Sequence, residues 1–134
     1  MKTYHISGHI KITVEEFREH YEARIDAAIA EGANFVVEDA FGVDSLAQSY
    51  LSYRLFNMAV ANGTDQSGRV IVYHMYSYAR NNVGTYPTRG GYTSDEERDA
   101  AMTRDSDDDI AWVRSGRENS GTAKNLLRRQ ESLR

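Results

Sequence analysis

The residues best suited to chemistry in this 134-residue chain lie near its C-terminus, in a stretch that reads RSGRENSGT. Ser120, Gly121 and Thr122 open a predicted helix, where free backbone N–H groups and two hydroxyls favour an anion. Gly121 lets a ligand approach the backbone, and Arg114 and Arg117 can add charge-assisted hydrogen bonds to a phosphate. An ordinary helix cap with its arginines in solvent explains the same residues, so the stretch alone leaves both interpretations open.

Carboxylates and one histidine are the candidate acid–base groups. Asp39, Asp44 and Asp99 are expected to approach one pocket, and Glu38 neighbours them. Pairs of carboxylates in different environments suit cleavage of an N-glycosidic bond, because one can stabilise positive charge on the sugar while the other positions water. His9 can protonate a leaving base. A histidine that follows a strand is, however, more often a hydrogen-bonded loop residue.

Composition excludes several classes of site. Twenty acidic and sixteen basic residues give a net charge of −4, which disfavours a long nucleic acid as partner. The absence of cysteine excludes disulfides, thiolate metal ligands and cysteine nucleophiles. His5, His20 and His74 lack metal-ligand spacing, so no metal or other cofactor is predicted. No apolar run approaches the roughly 18 residues of a membrane span, so we expect a cytoplasmic protein without a membrane partner.

Alternating strands and helices must position these residues. Strands are predicted at TYHIS, NFVVEDA, RVIVYHM and DIAWV, and helical spacing with capping signals predicts a helix after each strand. The predicted helix bounds are Thr13 to about Glu31 with Gly32 as C-cap, Asp44 or Ser45 to between Arg54 and Ala61, a helix capped by Ser94, and one capped by the Ser-Gly-Thr turn. Residues 76–93 are expected to form a long loop, and the sequence leaves open whether it is a lid, a dimer contact or a partly mobile segment.

The alternation predicts an α/β fold: a Rossmann-like three-layer α/β/α sandwich with a mainly parallel sheet, in one domain over residues 1–134. Ligands of such sheets bind beyond the carboxyl ends of the strands. The polar segments that follow predicted strands are Ser7–His9, Glu38–Asp44, Ala79–Asn82 and Arg114–Thr122. The acidic run RDSDDD precedes a strand, so we expect it at the opposite edge as a solvated connection.

Four segments together resemble one known group of proteins. In chain order, SGH, EDAFGVDSLAQSYL, EERDAAMTRDSDDDIAWV and SGTAKN resemble the SLOG superfamily of Rossmann-like nucleotide-binding proteins. That superfamily includes the LOG phosphoribohydrolases and the DprA DNA-processing domain, and nucleoside 2-deoxyribosyltransferases are similar. The resemblance covers most of the chain and is weakest between Leu55 and Arg69. It implies a nucleotide-like ligand and a homodimer or higher homo-oligomer.

The resemblance also implies roles for individual positions. Ser7–His9 matches a first loop near the sugar or base, and the Ser-Gly-Thr turn matches a phosphate-binding turn. Gly42 and Asp44 match a G-x-D turn, in which Asp44 caps its helix or holds a ribose hydroxyl. Arg98 and Asp99 match a charged pair that reaches the pocket, although a salt bridge at the edge of the core is equally expected of them.

One departure limits the enzymatic analogy. The LOG-like and deoxyribosyltransferase-like enzymes have a catalytic glutamate where this chain has Asn125, and an amide cannot ionise. Binding of a small nucleotide or ADP-ribose-like ligand is therefore the first hypothesis. An N-glycosidase or deoxyribosyltransferase acting on nucleoside monophosphates is the alternative, and DNA binding comes third. The candidate ligand-binding residues are Ser7, Gly8, His9, Gly42, Asp44, Arg80, Asn81, Arg98, Arg114, Arg117, Ser120, Gly121, Thr122 and Asn125.

Overall fold

A computed structural model describes residues 1–133 and confirms the predicted fold class. The strands are β1 (Thr3–Ser7), β2 (Asn34–Glu38), β3 (Val70–Met75), β4 (Thr88–Tyr92) and β5 (Asp108–Ala111). They form one parallel sheet in the order β4-β3-β2-β1-β5, with helices on both faces. The helices are α1 (Val14–Phe17), α2 (Ala23–Ala30), α3 (Val43–Asn62), α4 (Asp95–Arg104) and α5 (Gly121–Ser132).

Helices α1 and α2 are joined by a π-helical turn, Arg18–Glu22, so they follow one another without a break. The predicted capping box is present: Thr13 Oγ1 accepts from the Glu16 N–H, and Glu16 Oε1 accepts from the Thr13 N–H, both at 3.0 Å. Tyr21, in the π-helical turn, is fully buried. Its hydroxyl donates to the carbonyl of Ser7 and accepts from the N–H of Trp112. Tyr21 thus joins the carboxyl ends of β1 and β5.

The sheet changes direction at β1. The chain runs outward from β1 through β2 and β3 to β4, and then returns to place β5 on the other side of β1. Loops that leave β1 and β5 therefore diverge at their carboxyl ends, which opens a crevice there. The acidic run at residues 104–109 lies at the opposite edge, as predicted, where Asp107 Oδ2 accepts from the N–H of Thr3. The expectation that all of it is a solvated connection was wrong, because Asp108 and Asp109 belong to β5 and Asp109 is buried against Arg129.

The predicted long loop contains a strand. Strand β4 pairs in parallel with β3 at the edge of the sheet, so the expectation of an irregular segment over residues 76–93 was wrong for its last part. The sequence TRGGY has no apolar alternation because four of its five residues are exposed. Backbone hydrogen bonds to β3 hold this edge strand, and such bonds leave no pattern in the side chains.

Helix α3 begins and ends beyond its predicted limits. Its N-cap is Gly42, with φ 76°, rather than Asp44 or Ser45. The hydroxyl of Ser45 donates to the carbonyl of Ala40, and Asp44 is buried in the first turn of the helix. The C-cap is Gly63 in the left-handed conformation, so the helix runs to Asn62. No helix within residues 1–133 combines the length and apolar character needed to cross a bilayer.

Candidate functional site

A cleft of about 540 Å³ lies over the carboxyl ends of β1 and β2, between the amino-terminal ends of α4 and α5. The sequence-predicted residues that line it are Ser7, Gly8, His9, Arg80, Arg98, Asp99, Arg117, Ser120, Gly121, Thr122 and Asn125. The lining residues that were not among the predicted site residues are Ile10, Lys11, Glu38, Ala40 and Asp95. The structure therefore brings most of the predicted residues together, and their roles stay predictions.

The first turn of α5 presents free donors to this cleft. Ser120 is the N-cap, and its hydroxyl accepts from the N–H of Ala123 at 3.2 Å. The N–H groups of Gly121 and Thr122 have no acceptor within residues 1–133. A side chain added to Gly121 meets no atom within 4 Å, so neither packing nor backbone conformation requires glycine there. Two unpaired N–H groups thus lie at the positive end of the helix dipole.

Basic side chains line the same cleft. Arg117 is exposed on the loop before α5, and Lys11 lies on the loop after β1. Arg80 is held in place by Asp39: its Nη2 lies 2.8 Å from Oδ1, and its backbone N–H donates to Oδ2 at 2.8 Å. Burial acts to raise the pKa of Asp39, but these hydrogen bonds outweigh it and lower that pKa. Asp39 does not line the cleft, so it positions Arg80 and is poorly placed as an acid or base.

The facing wall carries carboxyl groups around one buried arginine. Arg98 is only 4% exposed, and its Nη2 lies 2.6 Å from Glu38 Oε2 and 3.1 Å from Asp95 Oδ1. Its Nε lies 3.3 Å from Asp99 Oδ1. Glu38 is the last residue of β2, so the strand delivers its carboxyl group directly to the cleft. The predicted pair Arg98 and Asp99 does reach the pocket, and the salt bridge expected as the alternative is present as well.

The carboxyl groups of Glu38 and Asp44 in this wall bind protons more tightly than ordinary carboxyl groups do. Burial and the charge of Asp99 raise the pKa of Glu38 to about 7, although the charge of Arg98 acts to lower it. Asp44 is 1% exposed and lies close enough to Glu38 for their charges to interact. Burial and the charge of Glu38 raise the pKa of Asp44 well above its usual range. Asp44 lies outside the lining, so it acts on the cleft only through Glu38.

His9 is poorly placed to protonate a leaving group. Its Nε2 accepts from the backbone N–H of Arg114 at 2.9 Å, which assigns the neutral tautomer with hydrogen on Nδ1. Burial lowers the pKa of His9, and the charges of Arg114 and Arg117 lower it further. The ring also packs edge-on against Trp112. His9 is therefore a neutral wall residue, in line with the loop role considered for it.

Besides Asp39 and Asp44, three predicted residues lie outside the cleft. Gly42 packs against the carbonyl oxygens of His9 and Ile10, where any side chain would collide with the backbone. Asn81 donates from Nδ2 to Ser45 Oγ at 2.7 Å, and Arg114 donates from Nη2 to the carbonyl of Lys11. These residues fix the loops that form the cleft walls.

Two further lining residues offer polar atoms. Asn125 Oδ1 accepts from Arg128 Nη1 at 2.7 Å, which leaves the amide Nδ2 as the group available to a ligand. The hydroxyl of Ser7 is buried and has no hydrogen-bond partner. Glu38 was missed as a site residue although its signal was present, because the final residue of a parallel strand lies at the edge where ligands bind.

No group of three acidic or histidine side chains within residues 1–133 is arranged to hold a metal ion. Comparison of the chain with models of known protein families, with curated proteins and with solved structures finds no match. The geometry of the cleft is therefore the basis for the functional argument.

Proposed function

We propose that this protein binds a small phosphorylated ligand, of the nucleotide or ADP-ribose type, with a phosphate on the first turn of α5. The observation that carries the proposal is the pair of free N–H groups of Gly121 and Thr122, which open into a cleft also lined by Lys11 and Arg117. A helix N-terminus with unpaired N–H groups and nearby cations is suited to an oxyanion.

The size and polarity of the cleft support a nucleotide rather than phosphate alone. A volume of about 540 Å³ lies within the range of small-ligand sites, about 300–1,000 Å³, and far exceeds one phosphate group. One wall offers cations and N–H donors, whereas the other offers the carboxyl groups of Glu38 and Asp99. A ligand with an anionic end and a hydroxyl-bearing end complements both walls. The resemblance to the SLOG superfamily points the same way, and membership in it stays a prediction.

A Gly121→Asp substitution tests the phosphate site without disturbing the fold. The open space around Gly121 accommodates a side chain, and an acidic residue in the first helical turn stabilises a helix by about 0.3–1 kcal/mol. The new carboxylate occupies the N–H groups and repels a phosphate. We expect it to weaken binding of AMP at least tenfold in isothermal titration calorimetry, with no loss of thermal stability.

Gly121→Ala is the matched control, because it fills the same space without a charge and should keep most of the AMP affinity. If Gly121→Asp binds AMP as tightly as the unmodified protein, the phosphate does not bind at α5. If the unmodified protein binds neither AMP, ADP-ribose nor inorganic phosphate, the proposed function is wrong.

Cleavage of an N-glycosidic bond is the second candidate function, and Glu38 is the observation that favours it. An acid with a pKa of about 7 can donate a proton to a leaving base at neutral pH. Of the four acid–base candidates named from the sequence, only Asp99 and the neutral His9 line the cleft. Free base released from a nucleoside monophosphate, detected by chromatography, is the measurement that supports this candidate.

A further inference from the structure

Three carboxyl groups lie in series from the interior to the cleft. Asp44 is buried in the first turn of α3, Glu38 lies next to it at the end of β2, and Glu38 and Asp99 line the cleft. Burial and the charge of Asp99 favour the protonated form of Glu38. The cleft end of the series therefore offers carboxylate acceptors, and a carboxyl O–H donor when Glu38 is protonated.

Unpaired polar atoms lie beside this series. Ser7 Oγ is buried in the cleft wall without a partner, and so is Nη1 of Arg98, whose side chain also lines the cleft. The other nitrogens of Arg98 pair with Glu38, Asp95 and Asp99. A buried polar group without a partner is unfavourable, so these atoms indicate a ligand that supplies the missing hydrogen bonds.

We infer that Glu38 and Asp99 bind the 2′,3′-diol of a ribose, which makes the ligand a ribonucleotide rather than a deoxyribonucleotide. The inference rests on the proposed function, since the phosphate on α5 places the sugar toward the facing wall. Each ribose hydroxyl both donates and accepts, so it can donate to a carboxylate of the pair and accept from a neighbouring donor such as Ser7 Oγ.

The same contacts argue against a cation in place of the diol. A divalent metal binds carboxylates directly, whereas the carboxylates of this wall already pair with a guanidinium. Arg98 already supplies a positive charge at the centre of the group, with Glu38, Asp95 and Asp99 around it. A neutral polar group therefore fits the wall better than a second positive charge.

Calorimetric titrations with AMP, 2′-deoxy-AMP and inorganic phosphate test this assignment. A hydrogen bond to a charged group contributes about 1.5–3 kcal/mol, so we expect the unmodified protein to bind AMP at least tenfold more tightly than 2′-deoxy-AMP. Asp99→Asn and Glu38→Gln should each reduce that preference to less than threefold. Both should leave the affinity for inorganic phosphate unchanged, because the phosphate binds at α5.

Glu96→Gln is the control, since this carboxylate of α4 is exposed and does not line the cleft, and it should keep the tenfold preference. Circular dichroism verifies that each variant folds, and Asp99→Ser replaces any variant that does not. Equal affinity for AMP and 2′-deoxy-AMP overturns the inference while phosphate binding upholds the proposed function. Release of adenine from AMP that is lost in Glu38→Gln, with the ribose preference intact, also overturns it, because Glu38 then faces the base.

Discussion

Glu38 and Asp44 make proton binding part of folding. In the unfolded chain, glutamate and aspartate carboxyls titrate at a pKa of about 4.3 and 3.9. In the folded protein, burial raises the pKa of Glu38 to about 7 and that of Asp44 well above its usual range. Between these values the folded state binds more protons than the unfolded state. This pair therefore makes the protein less stable as the pH rises from about 4 to about 7.

A Glu38→Gln substitution should remove much of that pH dependence. The amide keeps the shape of the side chain and carries no charge at any pH. We expect the free energy of unfolding of the variant, relative to the unmodified protein, to increase from pH 5 to pH 8 by on the order of 1–3 kcal/mol. Urea unfolding at several pH values measures the difference.

The pKa shift of another buried group, His5, gives the opposite dependence of stability on pH. The quantity to measure is therefore the difference in the free energy of unfolding between the variant and the unmodified protein. Burial lowers the pKa of His5 to about 3, which costs stability as the pH falls below its unfolded value of about 6.5. That contribution is the same in both proteins and cancels. Glu96→Gln, which changes an exposed carboxylate of α4, is the control and should track the unmodified protein. A constant difference between pH 5 and pH 8 for Glu38→Gln would contradict the expectation.

At the residue scale, sequence patterns predict which segments of the chain reach the site. They predict less well which side chains of those segments face the cleft. Glu38 and Asp39 are consecutive acids at the end of β2, and successive side chains of a strand point in opposite directions. Glu38 lines the cleft, whereas Asp39 pairs with Arg80 away from it. The sequence does not say which of two adjacent carboxylates faces the crevice, because that depends on how the strand enters the loop.

At the element scale, the position of α5 depends on a buried ion pair far from its first turn. Arg129 lies in the second half of α5 and its Nε is 3.1 Å from Asp109 Oδ2 of β5. Its Nη1 also donates to the carbonyls of Thr103 and Ser106, at the end of α4. One guanidinium thus joins α5 to the sheet and to α4. The first turn of α5 is positioned by these contacts together with its own cap.

An Arg129→Met substitution should destabilise the protein strongly. Methionine fills much of the space of the arginine stem but leaves the Asp109 carboxylate buried without its partner. Breaking a buried pair in this way costs about 3–5 kcal/mol. Urea unfolding measures the loss, and Arg104→Met is the control, since Arg104 is 69% exposed and pairs with Asp105 at the surface. Surface pairs contribute about 0–1 kcal/mol. A loss below 1 kcal/mol for Arg129→Met would show that the pair does not hold α5.

Elements with buried side chains could be predicted from the sequence, and those held by backbone contacts could not. Strand β2 buries a continuous apolar run, β1 and β3 also bury most of their side chains, and α1 and α2 repeat their buried residues at helical spacing. Strand β4 buries almost nothing, so only its pairing with β3 identifies it. The start of α3 was predicted too late in the sequence, because its N-cap is Gly42 and not a residue with a polar side chain. The backbone of Gly42 packs against the loop that follows β1.

At the scale of the whole molecule, the order of elements was enough to predict both the fold class and the edge that carries the cleft. Alternation of strands and helices requires parallel pairing, and parallel strands bring their carboxyl ends together. The predicted homodimer has no such geometric basis within residues 1–133 and stays a prediction of the resemblance. Net charge is the other property of the whole chain, and it affects the binding of a long polyanion more than the binding of a small anion.

The net charge of −4 predicts that the protein does not bind duplex DNA, even if its cleft binds AMP as proposed. Duplex DNA carries one negative charge per roughly 1.7 Å and needs an extended basic surface, whereas the cations of this cleft, Lys11, Arg80 and Arg117, share it with carboxylates. At 150 mM salt the Debye length is about 8 Å, so the cations of the cleft act only on a phosphate group placed within it. The negative charge of the rest of the protein surface repels a long polyanion. We expect no change in the fluorescence anisotropy of a labelled DNA duplex of about 20 base pairs when the protein is added at concentrations at which its binding to AMP is complete. Saturable duplex binding that weakens steeply with salt and competes with AMP would instead indicate a nucleic-acid interface that includes the cleft.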